Sequence, residues 1–365
     1  MRFEFYHAGL ENVPKLSVDG VVPNAVHFSH WQGNETPAEV RADTSTEIAL
    51  NLVASPQRAE LTRGIELVTN NHFDTDGVLS VWTVLTGERA LGLREQLIAA
   101  AESGDFSEYT NERAIRASLV IQGGDGAIPD AGVLSPLARD LAGGADVDEA
   151  RAYKLVLPEV EKVLTRTDDY EHLWRDEWNK TERAVESFAR GTSRVEEDAA
   201  AQLSVVTLAP DLYGASGFKP TRHAAPYTAI SKHARGEVYL IAIPMDGGYA
   251  YRVDYSYYSW AVTFTRPRIP RRDFTMLVTR LNELENDTQR RWQPDTSELT
   301  SALKCVDQNG LLCRSNLQPE RVADELRAEL KKETGGRSRR QGAGGRRQHE
   351  DTCFPPASCP LPPAY

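Results

Sequence analysis

The chain has 365 residues, 40% of them hydrophobic and 26% charged, with a net charge of −11. That is the make-up of a soluble globular protein long enough to bury a large core and to divide into two domains. The acidity excludes broad nonspecific nucleic-acid binding but leaves room for a local basic patch or a small phosphorylated or nucleotide ligand. The first thirty residues carry Arg2, Glu4, Glu11, Lys15 and Asp19 with no continuous apolar run, so neither a secretory signal nor a membrane span is expected and the chain reads as cytoplasmic.

Taken in order, the first 105 residues alternate short strands and helices. Strands are expected near 15–19, 25–29 and 64–70, with helices over 45–54, 77–86 and 89–103. This is the pattern of an α/β fold, a mostly parallel sheet with flanking helices. Residues 108–191 read as helical: 112–122, 134–141, 148–164 with a break at Pro158, and 169–190. In the last of these, Trp174 and Trp178 mark a docked face, and His172, Asp176 and Glu177 a solvated one.

From 192 to 335 the chain turns β-rich, an α+β domain with strands over 203–208, 238–243 and 249–264. Asp246-Gly247-Gly248 reads as a hairpin turn. The aromatic alternation of the last strand changes phase at Tyr257-Tyr258, which predicts a β-bulge. A helix is expected over 272–285. The expected domains are thus 1–107, 108–191 and 192–335, followed by a basic, Pro-rich tail over 336–365 too poor in apolar residues to fold. Cys305, Cys313, Cys353 and Cys359 fit neither a zinc ribbon nor a redox Cys-x-x-Cys pair. There is no internal repeat, phosphate-cradling Gly-rich loop or nucleophile elbow.

Chemistry concentrates at Asn71-His72-Phe73-Asp74-Thr75-Asp76-Gly77, where a strand hands over to a helix. On extended backbone, residues i, i+2 and i+4 point the same way, so His72, Asp74 and Asp76 can converge at the carboxyl end of a strand. Open α/β sheets bind ligands at that edge. A plain alternative is that Asp74 and Asp76 cap the helix while Gly77 makes the turn. A calcium loop is excluded, because its twelfth position needs a bidentate Glu and here holds Thr83. Mixed imidazole and carboxylate donors suit a transition metal such as Mn, Zn or Fe.

This segment resembles the first motif of the DHH phosphoesterase superfamily, His-x-Asp-x-Asp-Gly at a strand end followed by a helix carrying a Ser; His72, Asp74, Asp76, Gly77 and Ser80 match. Asp19, after Lys15-Leu16-Ser17-Val18, resembles the lone metal-bridging Asp of the second motif. Val26-His27-Phe28-Ser29-His30-Trp31 resembles the strand into Asp-His-His, with His30 at the first His, and Asp43-Thr44-Ser45-Thr46-Glu47-Ile48-Ala49-Leu50-Asn51-Leu52-Val53 resembles the Ser-Ser-Thr helix start that follows. The order second, third, first makes the chain a circular permutation of the usual arrangement, covering residues 15–105. Ser29 and Trp31 depart from the pattern by one carboxylate and one imidazole. His27 substitutes for one of them only if the backbone turns between it and His30. The whole chain also resembles a bacterial family of uncharacterised proteins, which supplies no activity by itself.

The resemblance implies a divalent-metal hydrolase of phosphoester or nucleotide-like substrates. Mn is the expected ion, with Asp19, His30, His72, Asp74 and Asp76 as ligands. Asp19 is the bridge, His30 serves the second ion, and Asp76 and His30 carry the catalysis. The alternative is a catalytically inactive descendant that binds a nucleotide or a partner. Asp105 follows Gly104 where a helix should stop, and reads either as part of that stop or as a further carboxylate. Arg266, Arg268, Arg271 and Arg272 beside the aromatic strand read either as phosphate clamps or as a solvated basic turn.

Overall fold

Three in-register parallel strands carry the motifs to one edge of a sheet. The structure is a computed structural model that describes residues 1–124, 135–212, 227–295 and 300–340. β2 (Lys15–Val18) lies between β3 (Val26–Phe28) and β4 (Leu67–Thr69), and β1 (Arg2–Phe3) pairs with the outer side of β4. All pairings are parallel. Val18 stands opposite Phe28, and Ser17 opposite both His27 and Thr69. The residues that follow each strand, Asp19, Ser29-His30 and Asn70 to His72, therefore leave the sheet at the same carboxyl edge.

The inner strands β2 and β4 are short and buried on both faces, as parallel strands covered by helices are. Lys15 is 1% exposed, and its ammonium is satisfied by the carbonyls of Glu11, Val13 and Asn24 at 3.0, 3.3 and 3.0 Å.

Five helices matter to the site: α1 (Ser45–Ala54), α3 (Thr75–Thr86), α4 (Arg94–Asp105), α5 (Glu112–Gln122) and α7 (Glu149–Val156), with the short α2 (Arg58–Leu61) after α1 and α6 (Pro136–Leu141) after α5. They share one apolar core with the sheet, running from Leu16 to Trp178. α8 (Val160–Thr165) follows a 3-10 turn over Leu157–Glu159, the interruption Pro158 requires. α9 (Glu171–Ala189) buries Trp174 and Trp178 under the Arg116 guanidinium, 4.6 Å from each ring, and leaves His172 exposed.

The second sheet is mixed, as expected for the α+β part. β5 (Arg194–Asp198), β6 (Leu203–Thr207), β7 (Val238–Met245) and β8 (Gly248–Tyr255) stand in sequence, then β10 (Ser301–Asp307) and β9 (Arg290–Pro294), with β11 (Arg314–Ser315) on β8. Only β6–β7 among these pairs is parallel. α10 (Tyr227–Ser231) lies beside one face, while α11 (Thr275–Glu285) and α12 (Pro319–Arg340) close the other.

Two expectations change. The strand that begins at Tyr249 was expected to run to Phe264 through a bulge; β8 ends at Tyr255 and a 3-10 turn spans Tyr257–Trp260. The aromatic phase change therefore marks a strand end. The tail was expected from 336, but α12 continues through Arg340. The rest of the tail, with Cys353 and Cys359, lies outside the described residues.

Candidate metal centre

Asp19 ends β2 in the left-handed region, with φ 63°, and this turn aims its carboxylate across the sheet edge. Oδ2 is 2.8 Å from His72 Nε2, and Oδ1 is 3.4 Å from His30 Nε2. His72 Nε2 is also 3.0 Å from Asp74 Oδ2, and His30 Nε2 is 3.1 Å from Asp105 Oδ2 and 3.7 Å from Asp76 Oδ2. Asp19 is thus shared between two clusters, one of Asp19, His72 and Asp74 and one of Asp19, His30, Asp76 and Asp105, each with donor atoms within 4.8 Å of one another. The second cluster is buried throughout, whereas the His72 and Asp74 side chains are 17% and 25% exposed.

Four of the six donors are held from behind. His30 Nδ1 lies 2.7 Å from the Asp43 carbonyl. Nδ1 therefore donates to that carbonyl, and Nε2 is the nitrogen that faces the carboxylates and would meet a metal once it loses its own proton. His72 Nδ1 sits 3.0 Å from Asn71 Oδ1, with the same result. Asp76 accepts the main-chain N–H groups of Ser45 and Thr46, 2.7 Å from each of its oxygens, at the positive amino end of α1. Asp74 accepts from Gly77 N at 2.7 Å while its other oxygen faces His72, so it caps α3 and joins the cluster at once.

The loop between β4 and α3 is pinned from the helical segment. Tyr153 Oη donates to the His72 carbonyl and accepts from Asn70, Glu149 accepts from Phe73 N, and Gln122 accepts from Thr75 N. Gly77 has no room for a side chain: a Cβ would lie 2.4 Å from Asn70 Nδ2, 2.7 Å from Tyr153 Oη and 3.0 Å from Asp19 Oδ2.

Asp19 Oδ1 and Oδ2, His30 Nε2, His72 Nε2 and Asp105 Oδ2 are buried and face only other ionisable groups of the cluster. Carboxylates crowded together in a core are expensive unless positive charge satisfies them. Divalent ions with oxygen or nitrogen donors at about 2.1 Å keep neighbouring donors about 3 Å apart, close to the separations seen. The residues fit a divalent cation.

Electrostatics agree. Burial works against a charged His30, but its hydrogen bond with Asp105 and the charges of Asp76, Asp105 and Asp19 hold its pKa at about 10. Burial lowers His72 as well, and the carboxylates of Asp74 and Asp19 outweigh it, leaving the pKa raised well above the usual value. Burial and the charge of Asp19 push Asp76 up to about 7. Burial, Asp74 and Asp76 push Asp105 well up. For Asp19 burial acts upward, yet the His72 charge and hydrogen bond bring it down to about 2. The cluster retains protons because it lacks positive charge, the role a cation takes when it binds deprotonated ligands.

The sequence expectation brought together His72, Asp74, Asp76, Asp19 and His30, and the structure gathers these five side chains. The single extended face expected for His72, Asp74 and Asp76 is not what does it: Thr75 and Asp76 already belong to α3, so Asp76 joins the His30 group and only Asp19 connects the two. Asp105 takes part as well, although Gly104 is not the stop that the sequence suggested. It lies inside α4, where a Cβ would be 2.7 Å from Thr75 Cβ.

His27 faces away, with Nε2 3.0 Å from the Val22 carbonyl. Ser29 donates from Oγ to the Asp19 carbonyl, and the Trp31 ring packs edge-on to His72 at 5.2 Å and against Trp260 at 4.6 Å. Sequence reasoning missed the roles of Asp43, which it noted only as the first residue of the helix-start segment, and of Tyr153 and Trp260, which stand in no recognisable motif.

Of the four arginines, Arg266 is engaged by Asp43, Glu102 and Glu108. Its strand of chain is fixed by Asp43 Oδ1, which accepts from Thr265 N at 2.7 Å, and by the His30 carbonyl, which accepts from Val262 N at 2.7 Å. Arg268 is exposed, Arg271 covers the Tyr255 ring at 4.3 Å, and Arg272 lies 3.6 Å from Glu237.

The fold and site define an α/β protein whose parallel-sheet edge carries a buried Asp/His cluster that can hold a divalent metal. The chain belongs to a family of unknown function, DUF6687, whose model matches residues 2–339. No curated protein matches it. Among solved structures it is similar to a pGpG-specific phosphodiesterase, PggH, from Vibrio cholerae, at 11% identity and a TM-score of 0.35 over 87% of this chain and 83% of the other. A likeness at that level carries no weight for fold or function. Among the described residues no helix is long and apolar enough to cross a membrane.

Proposed function

We propose that the protein is a divalent-metal-dependent hydrolase of phosphoester or nucleotide-like substrates, with Mn as the expected ion and a permuted DHH-type arrangement of motifs. The observation that carries this reading is the division of the Asp19 carboxylate between two donor groups, the disposition of a bridging ligand. Asp19, His72 and Asp74 would hold one ion, and Asp19, His30, Asp76 and Asp105 a second. A metal there supplies Lewis acidity and a nucleophilic water at neutral pH, so no Ser or Cys nucleophile is required. The chain's own contribution is to fix both imidazole tautomers, to keep the inner group dry and to leave the His72–Asp74 side open to solvent.

Arg266, committed to three carboxylates, docks the 260–266 segment in this reading, and phosphate contact falls to the exposed Arg268. A second reading, a non-catalytic binder, is favoured by Trp31, which places an apolar ring beside His72 where the motif has a further imidazole. Elemental analysis of protein purified in Mn-containing buffer, followed by hydrolysis assays on nucleoside phosphates, cyclic dinucleotides and short oligonucleotides, separates the two. Bound Mn with turnover, lost together in Asp76→Asn, is expected. Metal-free wild-type protein sinks the proposal, and bound metal without turnover supports the binder.

A further inference from the structure

One aromatic ring away from His30 the chain forms a partly open cavity of about 160 Å³, lined among others by Phe106, Ser107, Ala234, Tyr239, Tyr257 and Tyr258. The run Asp105-Phe106-Ser107 ties it to the cluster. Asp105 faces His30, the Phe106 ring is 5.7 Å from the His30 ring, and Ser107 lines the cavity.

Ser107 is 1% exposed and its Oγ has no hydrogen-bond partner. It is held there by an unusual backbone, with φ 46° and its carbonyl accepting from Ser231 Oγ at 2.7 Å. A buried hydroxyl kept unsatisfied in an aromatic cavity needs a ligand or a water to complete it.

The charges around the cavity say which ligand. The Arg266 guanidinium is neutralised by Asp43, Glu102 and Glu108, and that of Arg235 is spent on the carbonyls of Ser231, Lys232 and Ala234. Among the described residues that line it, no cation is left for an anion. An organic cation is disfavoured too, because three of the lining rings already carry positive charge: Arg266 lies 4.8 Å from the Phe106 centroid and 5.8 Å from Tyr258, and Arg252 lies 5.4 Å from Tyr227. What remains is a neutral flat ring with polar edges. The volume suits one such ring, since a cavity of about 150 Å³ is known to take a benzene.

We propose that this cavity binds the heterocycle of the substrate, a nucleobase or a ring of the same chemistry, while the phosphoester lies at the Asp/His cluster. The second half rests on the function proposed above; the ring site stands without it.

Calorimetric titration of the full-length chain in EDTA with adenosine, guanosine, cytidine and uridine tests the site independently of any metal. At least one nucleoside is expected to saturate the protein at millimolar concentration. Ser107→Gly keeps the left-handed backbone, removes the hydroxyl and is expected to weaken binding about fivefold. Ala234→Phe, placed on the cavity wall, is expected to abolish binding. Failure of all four nucleosides to bind wild-type protein overturns the proposal, as does unchanged binding to Ala234→Phe that folds by circular dichroism. If that variant does not fold, unchanged binding to Ser107→Gly is the overturning result. Nucleoside binding by a protein that never takes up metal leaves the ring site standing and removes only the cluster reading.

Discussion

His30 is positioned by Asp43: its Nδ1 lies 2.7 Å from that residue's carbonyl, and the carboxylate of the same residue holds the 264–266 segment through Thr265 and Arg266. Burial would raise the Asp43 pKa, but the Thr265 hydroxyl and main-chain bonds and the Arg266 charge bring it below the usual value. One residue thus connects docking of the aromatic segment to the orientation of a ligand imidazole. Asp43→Asn leaves the carbonyl in place and weakens the carboxylate contacts. The expected cost is about 2 kcal/mol in urea unfolding, with a fall in Mn affinity of about tenfold. Lost stability with unchanged Mn affinity would show that His30 is held without the segment.

Gly77 is the position where the cluster tolerates nothing larger. A Cβ there would displace Asn70, the Tyr153 hydroxyl and the Asp19 carboxylate together. Gly77→Ala sits in the first turn of α3, where Ala is otherwise the better helix former, so any loss measures the clash. We expect about 1–3 kcal/mol of destabilisation by thermal unfolding and no detectable metal uptake. A variant as stable as wild type would mean that the three contacts relax freely.

The sheet and the first ligands were legible because local patterns carried them. Short apolar runs ending at Asp19, His30 and His72 predicted strands whose carboxyl ends must meet if the sheet is parallel, and in-register pairing delivers that. Asp76 was read on the wrong secondary structure because Asp74, as N-cap, starts α3 one residue before it. Asp105 gave an ambiguous signal, since Gly104 serves a close approach to Thr75 and not a helix stop. Asp43 and Trp260 were illegible for a different reason. Their roles arise from contacts more than two hundred residues apart in sequence, which no periodicity or spacing encodes.

Asp105 lends itself to separating metal binding from folding. Its Oδ2 faces His30 Nε2 at 3.1 Å, and burial with the charges of Asp74 and Asp76 pushes its pKa well up; an Asn keeps its shape and removes the carboxylate a metal would need. In EDTA, Asp105→Asn is expected to cost about 1–3 kcal/mol through the weakened contact with His30. With saturating Mn, wild-type protein gains stability as RT ln(1 + [Mn]/Kd), and the variant gains far less. Equal gains in scanning calorimetry would remove Asp105 from the ligand set.

The same logic fixes how stability follows pH in the chelated protein. His30 titrates at 6.5 when unfolded and at about 10 when folded, so its contribution is complete below pH 6.5 and is lost as pH rises to 10. Asp76 is an acid whose folded pKa is raised, from 3.8 to about 7. The folded state then holds a proton that the unfolded state has released, and stability falls between those values too. Asp19 acts oppositely, lowered to about 2, but its contribution is already complete above pH 3.8. In EDTA the melting temperature is therefore expected to decline from pH 5 to 9. Mn competes with the same protons, so the increment it adds should grow over that range. A melting temperature in EDTA that is flat or rising between pH 6.5 and 9 would mean that the imidazoles and carboxylates of this cluster do not share their protons as their separations require.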